Sequence, residues 1–540
     1  MLGHDIATMT DVVTEFTTYE VALHSAAPPV SPFEVNCVAD VNSPVESRHA
    51  DMRVALFYAG DAAWNLRFTP DTPGTYTWRV DCPEAAIAAV GSVLSEASSS
   101  SALGAVESHP LHPRFLRREA GDPFVPVGME MDALILLGVT EGMGAVQRTL
   151  AGLQLAGVNY VPMQLFYNYS SWTTQPAFLP PRVAPTRLTP WASADQLTLD
   201  LDYFDVVDRV LRELERRSMV AHLMLYVGNK HVNWPEPGGA ADDVYWRYCM
   251  ARFGASNAVV LDVSKEAGSY GVGDEYIFDR LRLMSLMNAH GRLLGAHSGV
   301  SKASEYRSNA CPPELCSLLP AQLHFWGNGS FETFEEQVPR FFGALLALTQ
   351  AAENARRPLG SVEFLYEAGA LCGCNDGTCC NGCAATAAQH AQMRSVMWQS
   401  YFAGSFGTWY SSDSAWDVVS AEASASVWTR QLATLGAFWR GVGPAWRFGV
   451  CSAEQAPSAS GEATVRCLVD PERNTTIVHS LGTHAALTFA AAASPVDAAS
   501  YWVDPTAVAL EKLAFTAPAW PVVSPPDSIA EEAVLYLVWH

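Results

Sequence analysis

The sequence predicts a protein of the α/β class, a (β/α)8 TIM barrel flanked by an N-terminal and a C-terminal antiparallel β-sandwich. The middle of the 540-residue chain alternates apolar, strand-like runs with longer amphipathic segments, which is typical of strand–helix units. Both ends instead carry short runs rich in β-branched and aromatic residues, separated by turn signals. No Gly-rich fingerprint follows the first strand of the middle region, which disfavours a doubly wound sheet. The expected limits are residues 1–91 for the first sandwich, 92–114 for a linker, 115–442 for the barrel and 443–540 for the second sandwich.

The sandwich predictions rest on runs of strand-forming residues between turns. Near the N-terminus, MRVALFYAG and TYTWRVDC are separated by turn signals such as Thr72-Pro73-Gly74. Near the C-terminus, TTIVHSL and AVLYLVW have the same character. Residues 92–109 are rich in Ser and Ala, with four serines in a row, which indicates a linker.

Eight strand-like runs between residues 115 and 440 predict the strands of the barrel, and the segments between them predict its helices. The segment 204–217 (FDVVDRVLRELERR) shows the 3.6-residue period of an amphipathic helix most clearly. Further helices are expected at 242–253, 275–290, 332–353 and 386–402. The strands are expected at 125–130, 158–166, 219–227, 258–266, 292–298, 321–326, 358–364 and 407–411.

Charge and hydropathy narrow the classes of partner. The net charge is −23, and a strongly acidic surface repels phosphate groups, which argues against nucleic acid and anionic membrane surfaces. The same charge is compatible with a neutral carbohydrate. No apolar run of 18 residues or more is found, so no transmembrane helix is expected.

The twelve cysteines point to an oxidising compartment. Cys37 and Cys82 lie in the first predicted sandwich and Cys451 and Cys467 in the second, so each segment has an even count, although reduced thiols are the alternative. The cluster CGCNDGTCCNGC at 372–383 could bind zinc, but its spacing is not a pair of CxxC knuckles, and disulfides are favoured over a metal site. Three N-glycosylation triplets, at Asn168, Asn328 and Asn474, agree with an extracellular or secretory location, although the N-terminal residues do not resemble a signal peptide.

In a barrel of this kind the active site lies at the carboxyl ends of the strands. No HExxH, P-loop or GxSxG motif is present, and neither a metal nor a cofactor is implied. The polar and aromatic residues at the predicted strand ends are Glu130, Asp132, Asn168, Asn229, Lys230, Glu266, His297, Ser298, His324, Trp326, Glu363, Tyr366, Glu367, Trp409, Tyr410 and Asp413.

Two of these residues, Glu266 after strand 4 and Glu363 after strand 7, form a candidate catalytic pair. Strands 4 and 7 lie on opposite sides of an eight-stranded barrel, so their terminal side chains can converge on one bond. Two such carboxylates are what retaining glycoside hydrolysis requires, one as acid and one as nucleophile. Each Glu could instead form a salt bridge at the rim. The expected substrate-binding residues are Glu130, His297, Trp326, Tyr366, Glu367 and Trp409, where the aromatic rings could stack on sugars or simply pack between loops.

Several motifs give the chain a family resemblance. The segments FYAGDAAWNLRFTPDTPGTYTWRV (57–80), FLRREAGDPFVPVGME (115–130) and RPLGSVEFLYEAG (357–369) resemble the apiosidase-like glycoside hydrolases that carry an N-terminal domain of unknown function. The resemblance implies a glycosidase acting on a poly- or oligosaccharide without a cofactor. By position, Glu266 matches the acid/base and Glu363 the nucleophile, and Glu367 matches a supporting Glu. Glycoside hydrolase barrels of clan A, which this family resembles, commonly have Asn before the strand 4 acid, where this chain has Lys265.

Two other functions are compatible with the same sequence. The barrel could bind carbohydrate without cleaving it. Alternatively, the chain could be a structural or adhesive extracellular protein whose sandwiches make the contacts.

Overall fold

The fold is described from a computed structural model, in which the strands group around three separate hydrophobic cores. The first core lies among the N-terminal strands, the largest in the central barrel and the third among the C-terminal strands. The described residues are 11–98, 103–166, 189–227, 234–265, 273–297, 311–322, 326–327, 330–331, 334–351, 356–363, 387–410, 427–443, 445–460, 464–481, 486–489, 499–515, 520–529 and 532–539.

The N-terminal strands form a five-stranded sheet in the order β1-β8-β7-β3-β4 and a three-stranded sheet in the order β2-β6-β5, and their inward residues share one core. Strand β7 (GTYTWRVDC) shows how the sequence favours a sheet with one face toward a core. Buried and exposed residues alternate along it, because successive side chains of a strand point to opposite faces. The strands are β1 (Asp11–Thr14), β2 (Tyr19–His24), β3 (Val38–Asn42), β4 (Met52–Ala55), β5 (Phe57–Gly60), β6 (Ala63–Phe68), β7 (Gly74–Cys82) and β8 (Ile87–Glu96), with short 3-10 helices at Pro32–Glu34 and Pro83–Ala85.

Part of the segment predicted as a linker forms β structure. Strand β8 continues to Glu96, and a small antiparallel sheet in the order β11-β10-β9 leads into the barrel. Its strands are β9 (Val106–Ser108), β10 (Leu116–Arg118) and β11 (Pro123–Phe124). The domain limits themselves stay a prediction.

The central strands form one parallel eight-stranded sheet in the order β16-β15-β14-β13-β12-β21-β20-β17. The backbone N–H of Leu318 donates to the carbonyl of Leu294 at 3.0 Å, which joins the two ends of the sheet. Strands β13, β15 and β20 are buried throughout, as expected for a parallel sheet covered by helices. The strands are β12 (Gly128–Met129), β13 (Tyr160–Gln164), β14 (Val220–Val227), β15 (Val259–Lys265), β16 (Leu294–His297), β17 (Leu319–Gln322), β20 (Leu359–Glu363) and β21 (Phe406–Trp409).

Helices follow the barrel strands. In α3 the Asp200 carboxylate accepts a hydrogen bond from the N–H of Tyr203 at 3.1 Å and caps the N-terminus, as a helix start requires. The helices are α1 (Leu134–Glu141), α2 (Met143–Leu155), α3 (Leu201–Arg216), α4 (Ala240–Phe253), α5 (Asp274–Met287), α6 (Phe334–Gln350), α7 (Ala387–Phe402), α8 (Val427–Arg430) and α9 (Leu432–Gly441), with a short 3-10 helix at Ala445–Arg447.

The eight predicted barrel strands are confirmed, with one correction at the sixth. That strand is β17, which ends at Gln322 instead of continuing to Trp326. Trp326 instead begins a two-stranded antiparallel hairpin of β18 (Trp326–Gly327) and β19 (Ser330–Phe331), so it is not on a barrel strand. The prediction placed the strand too late because apolar residues continue past the point where the barrel ladder stops.

The C-terminal strands form a six-stranded sheet in the order β22-β24-β25-β30-β27-β28 and a three-stranded sheet in the order β23-β26-β29. The region is tied to the barrel by Glu532, whose carboxylate is buried and accepts hydrogen bonds from His479 and from Arg394 of α7. The strands are β22 (Gly449–Val450), β23 (Ser458–Ala459), β24 (Thr464–Asp470), β25 (Thr475–Leu481), β26 (Leu487–Thr488), β27 (Tyr501–Val503), β28 (Leu513–Ala514), β29 (Val522–Val523) and β30 (Glu532–Val538).

The N-terminal sheets are tied to the barrel by a buried ion-pair network. Arg67 of β6 donates to both oxygens of Asp208 in α3, at 2.8 and 3.0 Å. Arg252 of α4 donates to the same carboxylate at 2.9 Å. The network therefore joins three elements from two cores, and its charges compensate one another.

Three disulfides lie in the described part of the chain, whereas Cys249 is buried and not in a disulfide. The Cys-rich segment 372–383 lies outside the described residues. Among the described helices, none is long and apolar enough to cross a membrane. The disulfides are Cys37–Cys82, Cys311–Cys316 and Cys451–Cys467.

Tight packing between β20 and β21 gives a stability prediction. A Cβ added at Gly360 would lie 2.1 Å from Cζ of Phe406, whose ring is buried. We expect Gly360→Ala to lower the free energy of unfolding by about 1–3 kcal/mol, because a packed interior does not accept extra volume. Denaturant unfolding measures this. Gly343→Ala in α6, where nothing lies within 4 Å, is the matched control and is expected to be neutral or stabilising; an equal loss in both variants would contradict the prediction.

Candidate active site

The carboxyl ends of the barrel strands bring several of the predicted site residues together with Lys265, which the sequence did not predict as a site residue. Glu363 is the last residue of β20, His297 the last of β16 and Lys265 the last of β15, and Glu130 directly follows β12. All four side chains are buried. Barrel topology explains the convergence, since the carboxyl ends of parallel strands meet at one rim.

Other predicted residues lie outside the described part of the chain. Glu266, which follows Lys265 in the sequence, is one of them. Of Trp326, only the backbone is described. The predicted residues outside the described ranges are Asn168, Asn229, Lys230, Glu266, Ser298, His324, Asn328, Tyr366, Glu367 and Asp413.

The centre of the described site is the Lys265 ammonium group, which is surrounded by carboxylates. Its Nζ donates to Glu130 Oε1 at 2.7 Å and to Asp132 Oδ2 at 3.0 Å. Glu363 Oε2 lies 3.7 Å from the same nitrogen. The ring of Tyr410 also lies near this ammonium group, with its centroid 5.6 Å from Nζ. A buried ammonium is stable here because the carboxylates compensate its charge.

One carboxyl of this group is held partly in its neutral form. Burial raises the pKa of Glu130 well above its usual range, and the neighbouring Asp132 carboxylate raises it further, against the opposing effect of Lys265. Two neighbouring carboxyl groups cannot both ionise freely, because their negative charges repel each other. The carboxyl groups around Lys265 therefore carry less negative charge together than they would in water. The site therefore has less negative charge than its number of carboxyl groups indicates.

His297 contacts Glu363 as a neutral imidazole. Its Nε2 lies 3.5 Å from Glu363 Oε2. Burial lowers the pKa of His297 to about 4, although the Glu363 and Asp262 carboxylates oppose that shift. At neutral pH the positive charge beside Glu363 therefore comes from Lys265, not from His297.

Beneath this group lies a buried hydrogen-bonded chain that the sequence analysis missed. Asp262 of β15 bonds to His222 of β14, and His222 bonds to Tyr160 of β13. Gln164, at the end of β13, is also fully buried, and its side-chain amide has no hydrogen-bond partner among the described residues. The signal was available, because His222 and Asp262 are polar residues within otherwise apolar strands and such positions are costly to bury without partners.

The two aromatic residues at the end of the eighth barrel strand, β21, are also buried. Trp409 is the last residue of β21 and is fully buried, as is Tyr410. The Trp409 indole N–H has no hydrogen-bond partner among the described residues. Its predicted part in substrate binding stays a prediction, since packing within the barrel accounts for the same burial.

No group of His, Cys, Asp and Glu that could hold a metal ion is found among the described residues. The candidate zinc ligands in segment 372–383 lie outside those residues. At the site itself, the Lys265 ammonium group lies among the carboxylates of Glu130, Asp132 and Glu363.

Comparison with known proteins agrees with this architecture. The family described as "Apiosidase-like, catalytic domain" matches residues 114–441, and a domain of unknown function (DUF5060) matches residues 12–83. The chain therefore belongs to the apiosidase-like family, whose matched region contains all eight barrel strands. That membership makes it a glycosidase. None of the curated proteins matches this chain in sequence.

Solved structures share the fold. A glycoside hydrolase candidate from Bacteroides vulgatus ATCC 8482 has a TM-score of 0.71 at 14% identity, covering 98% of this chain and 100% of its own. A family 5 glycoside hydrolase from the same organism has a TM-score of 0.54 at 15% identity, covering 81% and 92%. A further glycoside hydrolase has a TM-score of 0.55 at 14% identity, covering 81% and 97%. At these identities the likeness concerns the fold alone.

The charge state of Glu130 gives a pH-dependent prediction. A raised pKa in the folded state stabilises the protein below the pKa of the unfolded state, and this contribution is lost as the pH rises through the folded value. Gln does not titrate, so the stability of Glu130→Gln relative to wild type should increase with pH, with a limiting slope of about 1.4 kcal/mol per pH unit. Denaturant unfolding from acid to neutral pH measures the difference.

The matched control is Glu532→Gln, which should show the opposite trend. Burial raises the pKa of Glu532, but the hydrogen bond from His479 and the charge of Arg394 outweigh burial and lower it. That carboxylate stabilises the fold above its unfolded pKa, so its replacement should cost most at neutral pH and least in acid. The same trend in both variants would refute the assignment of Glu130.

Proposed function

We propose that the chain is a retaining glycosidase in which Glu363 is the nucleophile and Glu266 the general acid/base. The observation that carries the proposal is the surroundings of Glu363, a buried carboxylate at the end of β20 with the Lys265 ammonium 3.7 Å away. An opposite charge at this distance favours the ionised carboxylate, which is the nucleophilic form. Family membership supports the same role, since retaining hydrolysis uses two carboxylates.

The reaction proceeds in two steps. In the first, Glu266 donates its proton to the glycosidic oxygen, the bond between this oxygen and the anomeric carbon breaks, and Glu363 bonds to that carbon. The leaving group departs as an alcohol. In the second, the Glu266 carboxylate takes a proton from water while the water oxygen attacks the anomeric carbon and displaces Glu363. Two displacements restore the original anomeric configuration.

Lys265 and His297 influence the charge of the Glu363 carboxylate. Lys265 and neutral His297 both lie beside Glu363 Oε2, so they can offset negative charge on the carboxylate before attack and again when it departs from the sugar. Glu130 and Asp132 hold the Lys265 ammonium by direct hydrogen bonds. No step requires a cofactor.

The substrate is proposed to be a poly- or oligosaccharide outside the cell. The family name makes an apiose-containing glycan the first candidate. Three disulfides support an oxidising compartment. Asn474, one of the N-glycosylation triplets, is exposed in the turn between β24 and β25, where a glycan could be attached.

The first test is substitution of Glu363. Glu363→Gln should lower kcat on any hydrolysed 4-nitrophenyl glycoside, an apioside included, by at least about 10³-fold, because the nucleophile is lost. Glu532→Gln is the matched control, since it also replaces a buried Glu beside a His and a cation, and it should retain activity. A Glu363→Gln variant with full activity would exclude Glu363 as nucleophile.

The second test concerns stereochemistry and the pairing of Glu266 with Glu363. Proton NMR of the first-formed sugar should show retained anomeric configuration. A crystal structure should place the two carboxyls about 5–5.5 Å apart. Inversion with a separation of about 6.5–9.5 Å would replace the retaining mechanism with an inverting one, and about 12 Å or more would exclude the pair.

A third measurement separates the enzyme from a carbohydrate-binding protein with an inactive barrel. Glycan-array binding should survive Glu363→Gln in both cases, but hydrolysis by the wild type occurs only in an enzyme. Binding without hydrolysis of any array glycan would favour the inactive barrel, for which the replacement of Asn by Lys265 is the motivating observation.

A further inference from the structure

The side chains of Asp262 and Lys265 in strand β15 both point into the barrel. In a regular strand they would point to opposite faces. Lys265 reaches Glu130, directly after β12, and Glu363, the last residue of β20, both on the other side of the barrel. Asp262 belongs to the buried chain that runs through His222 to Tyr160, whose ring packs against Phe406 of the non-adjacent strand β21. Both residues therefore point inward. Residues three apart in a strand normally face opposite sides, because the side-chain period is two.

A β-bulge resolves this conflict. Asp262 pairs with Gly295 of β16, whereas Lys265 pairs with His297, so three steps along β15 correspond to two along β16. The extra residue changes the side from which the later side chains emerge. Without the bulge, Lys265 would point toward the surrounding helices.

The Asp262 carboxylate spans this bulge. Its Oδ1 accepts hydrogen bonds from the backbone N–H of Ser264, within the bulge, and of His297, on the facing strand, each at 2.9 Å. A bulge interrupts the ladder of backbone hydrogen bonds, so buried amides need another acceptor. Asp262 supplies it on both strands at once.

The other oxygen of Asp262 is fixed from the opposite direction. The His222 Nε2–H donates to Oδ2 at 2.7 Å, because a carboxylate can only accept. The Tyr160 hydroxyl in turn donates to His222 Nδ1, which lies 2.6 Å away. Gly295 leaves room for the carboxylate, since a Cβ there would lie 3.2 Å from Oδ2.

We propose that Asp262, held by His222 and Tyr160, is a positioning residue that directs Lys265 and His297 to the Glu363 carboxylate. Lys265 depends on it through the bulge, and His297 depends on it through its backbone N–H. Both side chains reach the same atom, Glu363 Oε2, at 3.7 and 3.5 Å. The assignment rests on the proposed function only in treating Glu363 as the nucleophile.

The direct test compares crystal structures of Asp262→Ala and Asp262→Asn. Asn keeps an oxygen that can accept from Ser264 and His297, so Lys265 should stay beside Glu363. Ala removes the acceptor, and the Nζ to Oε2 distance should grow beyond about 6 Å, outside the range in which an opposite charge shifts a carboxyl pKa. An Asp262→Ala structure that keeps the distance of 3.7 Å would overturn the proposal.

The kinetic test uses the 4-nitrophenyl glycoside that the wild type hydrolyses. Loss of the cation raises the pKa of Glu363, so the acid limb of the kcat/KM profile of Asp262→Ala should move up by about one pH unit. Its kcat should fall by about 10²-fold, as misplacement of about 1 Å can cause. Asp262→Asn should restore both. Asp208→Ala, which removes a buried Asp from the Arg67–Arg252 network, should lose stability without moving the acid limb.

The outcomes separate this proposal from the proposed function. If the wild type hydrolyses no glycoside, the proposed function fails, and the crystal structures still decide whether Asp262 positions Lys265. If hydrolysis occurs but the acid limb of Asp262→Ala does not move, the positioning role is wrong. Should Asp262→Ala not fold, Gly295→Ala is the second variant, because its Cβ presses on Oδ2; an unmoved acid limb there would overturn the proposal.

Discussion

The buried ammonium group of Lys265 is the interaction on which the described site depends. It is the one cation that directly contacts Glu130, Asp132 and Glu363 among the described residues. A buried charge is stable among opposite charges only when the groups lie within hydrogen-bonding or ion-pair distance of one another. At longer distances the free-energy cost of removing the charges from water exceeds their mutual attraction. Small movements at this point would therefore alter charge on every carboxyl of the group.

The barrel meets that requirement by bringing distant parts of the chain to one rim. Lys265 and Glu130 are 135 residues apart in sequence, yet their side chains are joined by a 2.7 Å hydrogen bond. The bulge in β15 then corrects the direction of Lys265, and Asp262 holds the bulge from below. Charge at the rim and polar bonds in the barrel interior thus form one connected structure, which links packing to the chemistry of Glu363.

Much of the fold could be predicted because it depends on local patterns. Apolar strands alternating with amphipathic helices indicated eight strand–helix units, and a run rich in β-branched and aromatic residues between turn signals indicated the sandwich strand β7. The sixth strand was misplaced because the run of apolar residues there continues into the hairpin that contains Trp326. Hydrophobic pattern alone does not tell a strand of the barrel from a strand beside it.

The sequence by itself determined the barrel, its flanking β regions and the position of Glu363 at the end of the seventh strand, since these follow from periodicity and family motifs. Only the tertiary structure decided that Lys265 lies among carboxylates, that His297 is neutral, and that Asp262, His222 and Tyr160 form one chain. The physical reason is that pairing and desolvation depend on distances between separate strands. A one-residue bulge, which leaves no clear mark in the sequence, reverses the direction of a side chain.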